Sequence, residues 1–198
     1  MPIKGYNFAP SMFLLELSTQ CQFAKECDRR LRDAAPAWYT NAASEKFAKA
    51  MPPRDIIINC TALLSAAAVI SKLLFAGRRR DKNIVHRCKR LRELLNISDN
   101  GLPVLRDMAV RNRFEHVDER LDEVLPSFTK GSFSALSVHE KEPDAGIVLK
   151  RFDPKKLTIS FADAKISLAT CISEILQVKA KIDAAFKKLH GPEFKLWA

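Results

Sequence analysis

The feature that most restricts the fold is the apolar segment at residues 55–76, DIIINCTALLSAAAVISKLLFA. It is long enough to span a bilayer, which takes about 20 predominantly apolar residues. Polar residues interrupt it, however, among them Asn59, Ser65 and Lys72. A helix that is apolar all round and rich in small side chains is typical of one packed among other helices. The segment therefore predicts the central helix of a bundle, and we expect no membrane partner.

Helical spacing of apolar residues predicts four more helices around this segment. They cover residues 11–35, 82–96, 102–125 and 164–189. Proline supplies several of the boundaries. Pro36 is predicted to end the helix at 11–35 and Pro126 the helix at 102–125, while Pro103 suits the start of that second helix. Together these patterns predict a mainly α protein.

One segment before the last helix has strand character instead. Residues 147–152 and 157–161 are apolar clusters or alternations that flank Asp153-Pro154-Lys155-Lys156, a sequence suited to a turn. We therefore predict a β-hairpin inside an insertion at residues 140–163. The predicted fold class is a helical bundle with a small β-hairpin inserted before the C-terminal helix. Its length fits a single domain over residues 1–198.

Cysteine usage and the absence of familiar motifs narrow the chemistry. The five cysteines show no CxxC spacing, and residues 1–10 contain no apolar run behind a basic start, so we predict a reducing, cytoplasmic location. The close pair His86 and Cys88 has no second pair to complete a zinc site. There is no glycine-rich phosphate loop, HExxH motif or nucleophile elbow. We expect neither a metal nor a cofactor.

A block of basic residues follows the apolar segment in a chain whose formal net charge is +10. Between residues 78 and 92 only Asp81 opposes the positive charge. Such a block favours contacts to the phosphates of a nucleic acid. The affinity of these contacts depends on salt concentration, and they discriminate little between nucleotide sequences. A solvated helix face is the alternative interpretation. The predicted nucleic-acid-binding residues are Arg78, Arg79, Arg80, Arg87, Lys89 and Arg90.

Three residues of the predicted helix at 102–125 could support phosphate chemistry. Arg111 offers a planar fork of donors, and His116 has the side chain best suited to proton transfer near neutral pH. We predict that His116 acts as general acid or base, that Arg111 stabilises charge on phosphoryl oxygens, and that Asn112 orients His116 or the phosphate. The alternative is a helix surface stabilised by pairs four residues apart, at about 0.2–0.5 kcal/mol each.

An apolar patch is predicted on the same side of that helix. If the helix is continuous, Val104, Leu105 and Met108 share a face with Arg111 and His116. A helix with apolar surface on opposite sides of its two halves needs a second packing partner. That partner is either another helix of the bundle or a second subunit.

The segment Arg111-Asn112-Arg113-Phe114-Glu115-His116 resembles the motif of the HEPN superfamily (higher eukaryote and prokaryote nucleotide-binding domains). That motif has Arg, four to six further residues and His, often with Asn directly after the Arg. The resemblance implies a helical bundle that forms a homodimer, with Arg and His from both subunits lining a shared cleft. It also implies a metal-independent ribonuclease of a toxin–antitoxin or defence system, with RNA as substrate and a cognate antitoxin as a further partner.

Two other functions remain open on the sequence. The chain is alternatively a non-enzymatic helical interaction module that uses its apolar and charged faces to bind a protein partner. It is alternatively a plain nucleic-acid-binding protein that uses the basic block.

Overall fold

The computed structural model describes most of the helical part of the chain and a small sheet. The described residues are 9–42, 54–77, 81–107, 122, 133–134, 137–138, 147–148, 150–161 and 164–191. Their helices are α1 (Pro10–Ala42), α2 (Arg54–Leu74), α3 (Lys82–Leu94), α4 (Pro103–Arg106) and α5 (Leu168–His190). A mostly helical chain with a small sheet directly before its last helix confirms the predicted fold class.

Helix α2 takes the central position among the described helices, because it contacts α1, α3, α4 and α5. Its buried residues lie on most of its circumference, and Ile58, Thr61 and Ser65 form a narrow exposed stripe. By length and composition alone α2 is also apolar enough to cross a membrane. The core helix of a soluble protein passes the same test, and 56% of this apolar stretch is buried inside the fold.

Helix α1 continues through Pro36 to Ala42, so the prediction that it ends at Pro36 is wrong. A proline inside a helix removes one backbone hydrogen bond and crowds the carbonyl four residues earlier. The preceding turns of α1 are held by packing, since Leu14, Leu17 and Leu31 are almost completely buried. Core packing of those turns outweighs the local preference of proline for a helix end.

The sheet contains the predicted hairpin. The strands are β1 (Phe133–Ser134), β2 (Ser137–Val138), β3 (Ile147–Val148), β4 (Lys150–Asp153), β5 (Thr158–Phe161) and β6 (Ala164–Ser167). Strands β4, β5 and β6 form an antiparallel meander, β2 joins β4 in parallel, and β1 pairs with β3 in parallel. The β4–β5 turn is built on the buried Asp153, whose Oδ1 accepts the N–H groups of Lys155 and Lys156, both at 3.0 Å.

The predicted last helix begins four residues too early. Residues 164–167 form strand β6, in which Ile166 pairs with Ile159 of β5, and both side chains are buried. Helix α5 then begins at Leu168. Ser167 is its N-cap and accepts the N–H of Thr170 at 3.1 Å. Pairing with β5 decides the conformation of residues whose own pattern is compatible with a helix.

The predicted continuous helix over residues 102–125 is also wrong, because Asp107 has extended backbone angles and α4 ends at Arg106. The position of Val104 and Leu105 therefore does not fix the direction of side chains further along. Leu105 is buried in the core of this chain and Val104 packs against that core. These two residues of the predicted apolar patch thus serve the fold of the monomer, while Met108 lies outside the described residues.

Candidate nucleic-acid interface

The predicted site residues divide into two groups. Arg111, Asn112 and His116, together with Arg78, Arg79 and Arg80, lie outside the described residues. Arg87, Lys89 and Arg90 lie on α3, where their surroundings are described.

A cap determines where helix α3 begins, and an apolar stripe determines which of its sides faces the core. The Oδ1 atom of Asp81 accepts the N–H of Asn83 at 2.8 Å and that of Ile84 at 3.3 Å. A carboxylate at this end also complements the helix dipole. Cys88 and Leu91 are buried, which turns the opposite side of α3 towards solvent.

Arg87 belongs to the fold rather than to the solvent-facing side. Its Nη2 donates to the carbonyl oxygen of Lys72 in the last turn of α2 at 3.1 Å. Its guanidinium also lies over the ring of Phe13 in α1, 5.4 Å from the ring centre. Arg87 therefore joins α3 to two other helices, and its role in binding nucleic acid stays a prediction.

Arg92 makes a second attachment of the same kind. Its Nη1 donates to the carbonyl oxygen of Leu74 at 2.6 Å, and its Nη2 pairs with Asp99 at 2.7 Å. The guanidinium lies 5.5 Å from the ring centre of Phe75, and only 16% of the side chain is exposed. The carbonyls at the end of a helix lack partners within the helix, so Arg87 and Arg92 together cap α2.

The far end of α3 is attached to the last helix. Asn96 follows α3 in a left-handed conformation with φ 49°. Its carbonyl oxygen accepts a hydrogen bond from Nζ of Lys181 on α5, at a distance of 2.7 Å. Helix α3 therefore packs on α2, with one side-chain contact to α1 at Arg87 and one to α5 just beyond its own end.

The remaining polar residues form one exposed surface, here called the α3 basic face: Lys82, His86, Lys89 and Arg90. Steps of four, three and one residues place them on the same side of the helix, and all four are exposed. Glu93, at the end of this surface, lies 3.9 Å from Lys89 and 3.3 Å from Arg90. Exposed ion pairs of this kind contribute about 0–1 kcal/mol, so these cations can exchange Glu93 for another anion.

Charge on the neighbouring helix is balanced, unlike that on α3. Helix α1 carries four basic and four acidic side chains, whereas α3 carries five basic side chains and one acidic side chain. On α1, Arg29 pairs with Glu26 at 2.7 Å and Arg32 pairs with Asp28 at 2.8 Å. Hydrogen bonds from Arg29 and Arg30 lower the pKa of Glu26 to about 2. The positive excess of these two helices is therefore concentrated on α3.

One buried carboxylate has a structural role that the sequence pattern missed. Glu174 of α5 is 4% exposed, and its two oxygens accept the N–H groups of Val104 at 3.0 Å and Leu105 at 2.9 Å. It thereby caps α4 from another part of the chain. No local signal could have indicated this, because the partners are about 70 residues apart.

The described thiols are placed for packing rather than for reaction. Burial raises the pKa of Cys21 and of Cys171 to about 12, and for Cys171 the carboxylate of Glu174 adds to the effect. A thiol with so high a pKa is a poor nucleophile at neutral pH. Within the described part of the chain, no three His, Cys, Asp or Glu residues are grouped so as to hold a metal ion.

The structure thus brings Lys89 and Arg90 together on one exposed surface and assigns Arg87 to the fold. Lys82 and His86 also belong to that surface, and their spacing from Lys89 and Arg90 is the signal that could have identified them. Comparison of the chain with protein-family models, with curated proteins and with solved structures gives no match.

Proposed function

We propose that this chain is an RNA-binding protein that holds the phosphate backbone on the α3 basic face. The observation that carries this proposal is a set of exposed basic side chains on α3, Lys82, Lys89 and Arg90, which outnumber Glu93, the one acidic residue of that helix. Lys and Arg contacts to phosphate oxygens give affinity and position the RNA without reading its sequence. The fixed position of α3 supports the proposal, because a rigid surface loses little freedom on binding.

A pair of matched variants tests RNA binding. Replacing Lys89 and Arg90 with Ser removes two adjacent exposed cations from α3. The control replaces Lys155 and Lys156 with Ser. These two lysines are also adjacent and exposed, but they lie in the β4–β5 turn. The control should fold, because Asp153 accepts hydrogen bonds from the backbone N–H groups of residues 155 and 156, which serine retains.

RNA affinity is measured by fluorescence anisotropy at several salt concentrations. Each lost phosphate contact should reduce the slope of log K against log salt by about 0.7–0.9, so the α3 variant, which lacks two cations, should lose about 1.4–1.8. The control should keep the slope of the parent chain. If both variants behave like the parent, or if the parent does not bind RNA at low salt, the α3 basic face is only a solvated surface.

The motif at residues 111–116 adds a chemical step to this proposal. Its resemblance to the HEPN superfamily supports a metal-independent endoribonuclease of a toxin–antitoxin or defence system that works as a homodimer. His116 would move a proton at the ribose 2′-hydroxyl or the leaving oxygen, Arg111 would stabilise the phosphoryl charge, and Asn112 would orient His116 or the phosphate. Attack by the 2′-hydroxyl on its own phosphate leaves a 2′,3′-cyclic phosphate and frees the 5′-oxygen of the next nucleotide.

Cleavage is tested in EDTA with a labelled RNA. We expect a product with a 2′,3′-cyclic phosphate or 3′-phosphate, a rate about 10²–10⁴-fold lower in His116→Ala, and unchanged folding of that variant. If RNA is bound but not cut, the proposed RNA binding stands and the proposed ribonuclease activity is contradicted.

The proposed homodimer is tested by light scattering, which should give twice the chain mass of 22.3 kDa. A monomer in solution would contradict the proposal of a cleft shared by two subunits.

A second candidate function is a helical interaction module that binds a protein partner, such as a cognate antitoxin. The observation that favours it is a pair of exposed apolar side chains on α1, Met12 at 67% and Phe23 at 50%. They lie on the same side of the helix, about three turns apart. This function predicts that Met12→Ser with Phe23→Ser abolishes partner capture while RNA binding stays at the parent level.

A further inference from the structure

We infer that the α3 basic face takes paired RNA in preference to single-stranded RNA, and that it holds the duplex from outside its grooves. This inference rests on the proposed RNA-binding function and names the class of RNA that the same surface accepts.

The first support is the limited width of the exposed surface. Cys88 and Leu91 are buried, and Arg87 and Arg92 are turned towards α2, so about half of the circumference of α3 is covered by the bundle. A helix attached in this way cannot enter the deep, narrow major groove of A-form RNA. Its long side chains can still reach phosphate oxygens along the edge of a duplex.

The second support is that the aromatic rings beside α3 are already covered. Proteins that bind single strands commonly stack bases on aromatic side chains, at about 1–3 kcal/mol per base. The sequence of α3 contains no Phe, Tyr or Trp. Among the described residues, the two rings next to α3 are partly or fully covered: Phe75 is buried, and the guanidinium of Arg87 lies over one face of the half-buried Phe13.

The third support is the match between a rigid surface and a rigid ligand. Lys82 and Lys89 are about 10 Å apart along the helix axis, at 1.5 Å per residue. Helix α3 packs on α2 and is joined to α1 by Arg87 and to α5 through Asn96 beyond its end, so this spacing is set before binding. A duplex presents phosphates in fixed positions and at higher charge density than a single strand. A single strand has to be ordered on binding, at a cost in conformational entropy that stacking here does not offset.

The test compares two probes with the full-length chain. One is a fluorescently labelled RNA strand of about 16 nucleotides with no self-pairing, and the other is the same strand in a perfect duplex. We expect the dissociation constant for the duplex to be lower by about tenfold at the same salt concentration. A second duplex of unrelated sequence should bind with the same affinity as the first, because the contacts go to phosphates. A denaturing gel verifies that the probes stay intact.

The variants separate this inference from the function on which it rests. Lys89→Ser with Arg90→Ser should remove most of the preference for the duplex, and Lys155→Ser with Lys156→Ser should keep it. If RNA binds but the single strand binds as tightly as the duplex, or more tightly, the inference fails while the proposed function stands. If neither probe binds at low salt, the proposed function itself fails.

Discussion

Both carboxylate oxygens of Glu174 accept backbone N–H groups in a nearly water-free position, at 3.0 and 2.9 Å. Removing such an acceptor leaves two donors unsatisfied, so we expect Glu174→Ala to lower the free energy of unfolding by about 2–3 kcal/mol. Glu174→Gln keeps one acceptor oxygen and should lose about half as much. Urea unfolding followed by circular dichroism measures both.

The control for Glu174 is Gln177→Ala, an exposed position on the same helix, which should change stability by less than about 0.5 kcal/mol. A loss in Glu174→Ala no larger than that of the control would show that α4 does not depend on this cap.

At the same scale, arginines with identical charge have different roles. Arg92 is mostly buried against α2, and Arg90 is exposed. Their positions in the sequence, two residues apart, point them to different sides of α3. The side that faces the protein could be inferred from the apolar stripe, but the carbonyl groups that Arg92 binds could not.

At the scale of the element, Pro36 tests how far packing determines the length of α1. The helix continues to Ala42 although proline supplies no N–H to the ladder. Pro36→Ala should restore that donor, and we expect the free energy of unfolding to rise by about 1–3 kcal/mol. Thermal unfolding followed by circular dichroism measures this change. An unchanged or lower melting temperature would contradict the prediction.

The start of α5 shows a different competition within an element. Residues 164–167 have apolar spacing compatible with a helix, yet they pair with β5. The edge of β5, whose paired residues lie three to nine positions earlier in the chain, satisfies their backbone groups as well as a helical turn would. Only from Ser167 onward does a local signal, the N-cap, set the boundary.

At the scale of the whole molecule, thiol chemistry reports on the core. Cys21 on α1 and Cys171 on α5 are buried, and burial raises the pKa of each to about 12. We expect both to react with a thiol reagent at pH 8 far more slowly in the native chain than in urea, where all five cysteines should react. Mass spectrometry of the labelled chain identifies the modified sites. Equal rates for Cys21 in the two states would contradict the packing of α1 against α5.

The same pKa shift makes stability depend on alkaline pH. The native pKa of Cys21 lies above its ordinary value of 9.0, so the folded state holds the proton longer than the unfolded state. Its contribution to stability is full below pH 9 and is lost as the pH rises towards about 12. Cys21→Ala should therefore show a shallower fall in the free energy of unfolding above pH 9 than the parent chain. Parallel slopes would contradict this.

The sequence by itself determined the helical class, the central place of α2, the hairpin around Asp153 and the concentration of positive charge on α3. These features follow from the spacing of apolar residues, turn-forming residues and charge, which act over a few positions along the chain. The motif at residues 111–116 stays a prediction of the sequence alone.

Only the tertiary structure decided where α1 and α4 end, that residues 164–167 form a strand, and which arginines remain exposed. Glu174 binds backbone about 70 residues away, and Arg92 binds a carbonyl 18 residues away. Such contacts leave no periodic trace in the sequence, because they depend on how separate helices meet after the chain has folded. Local preferences are weak, and packing between helices overrides them.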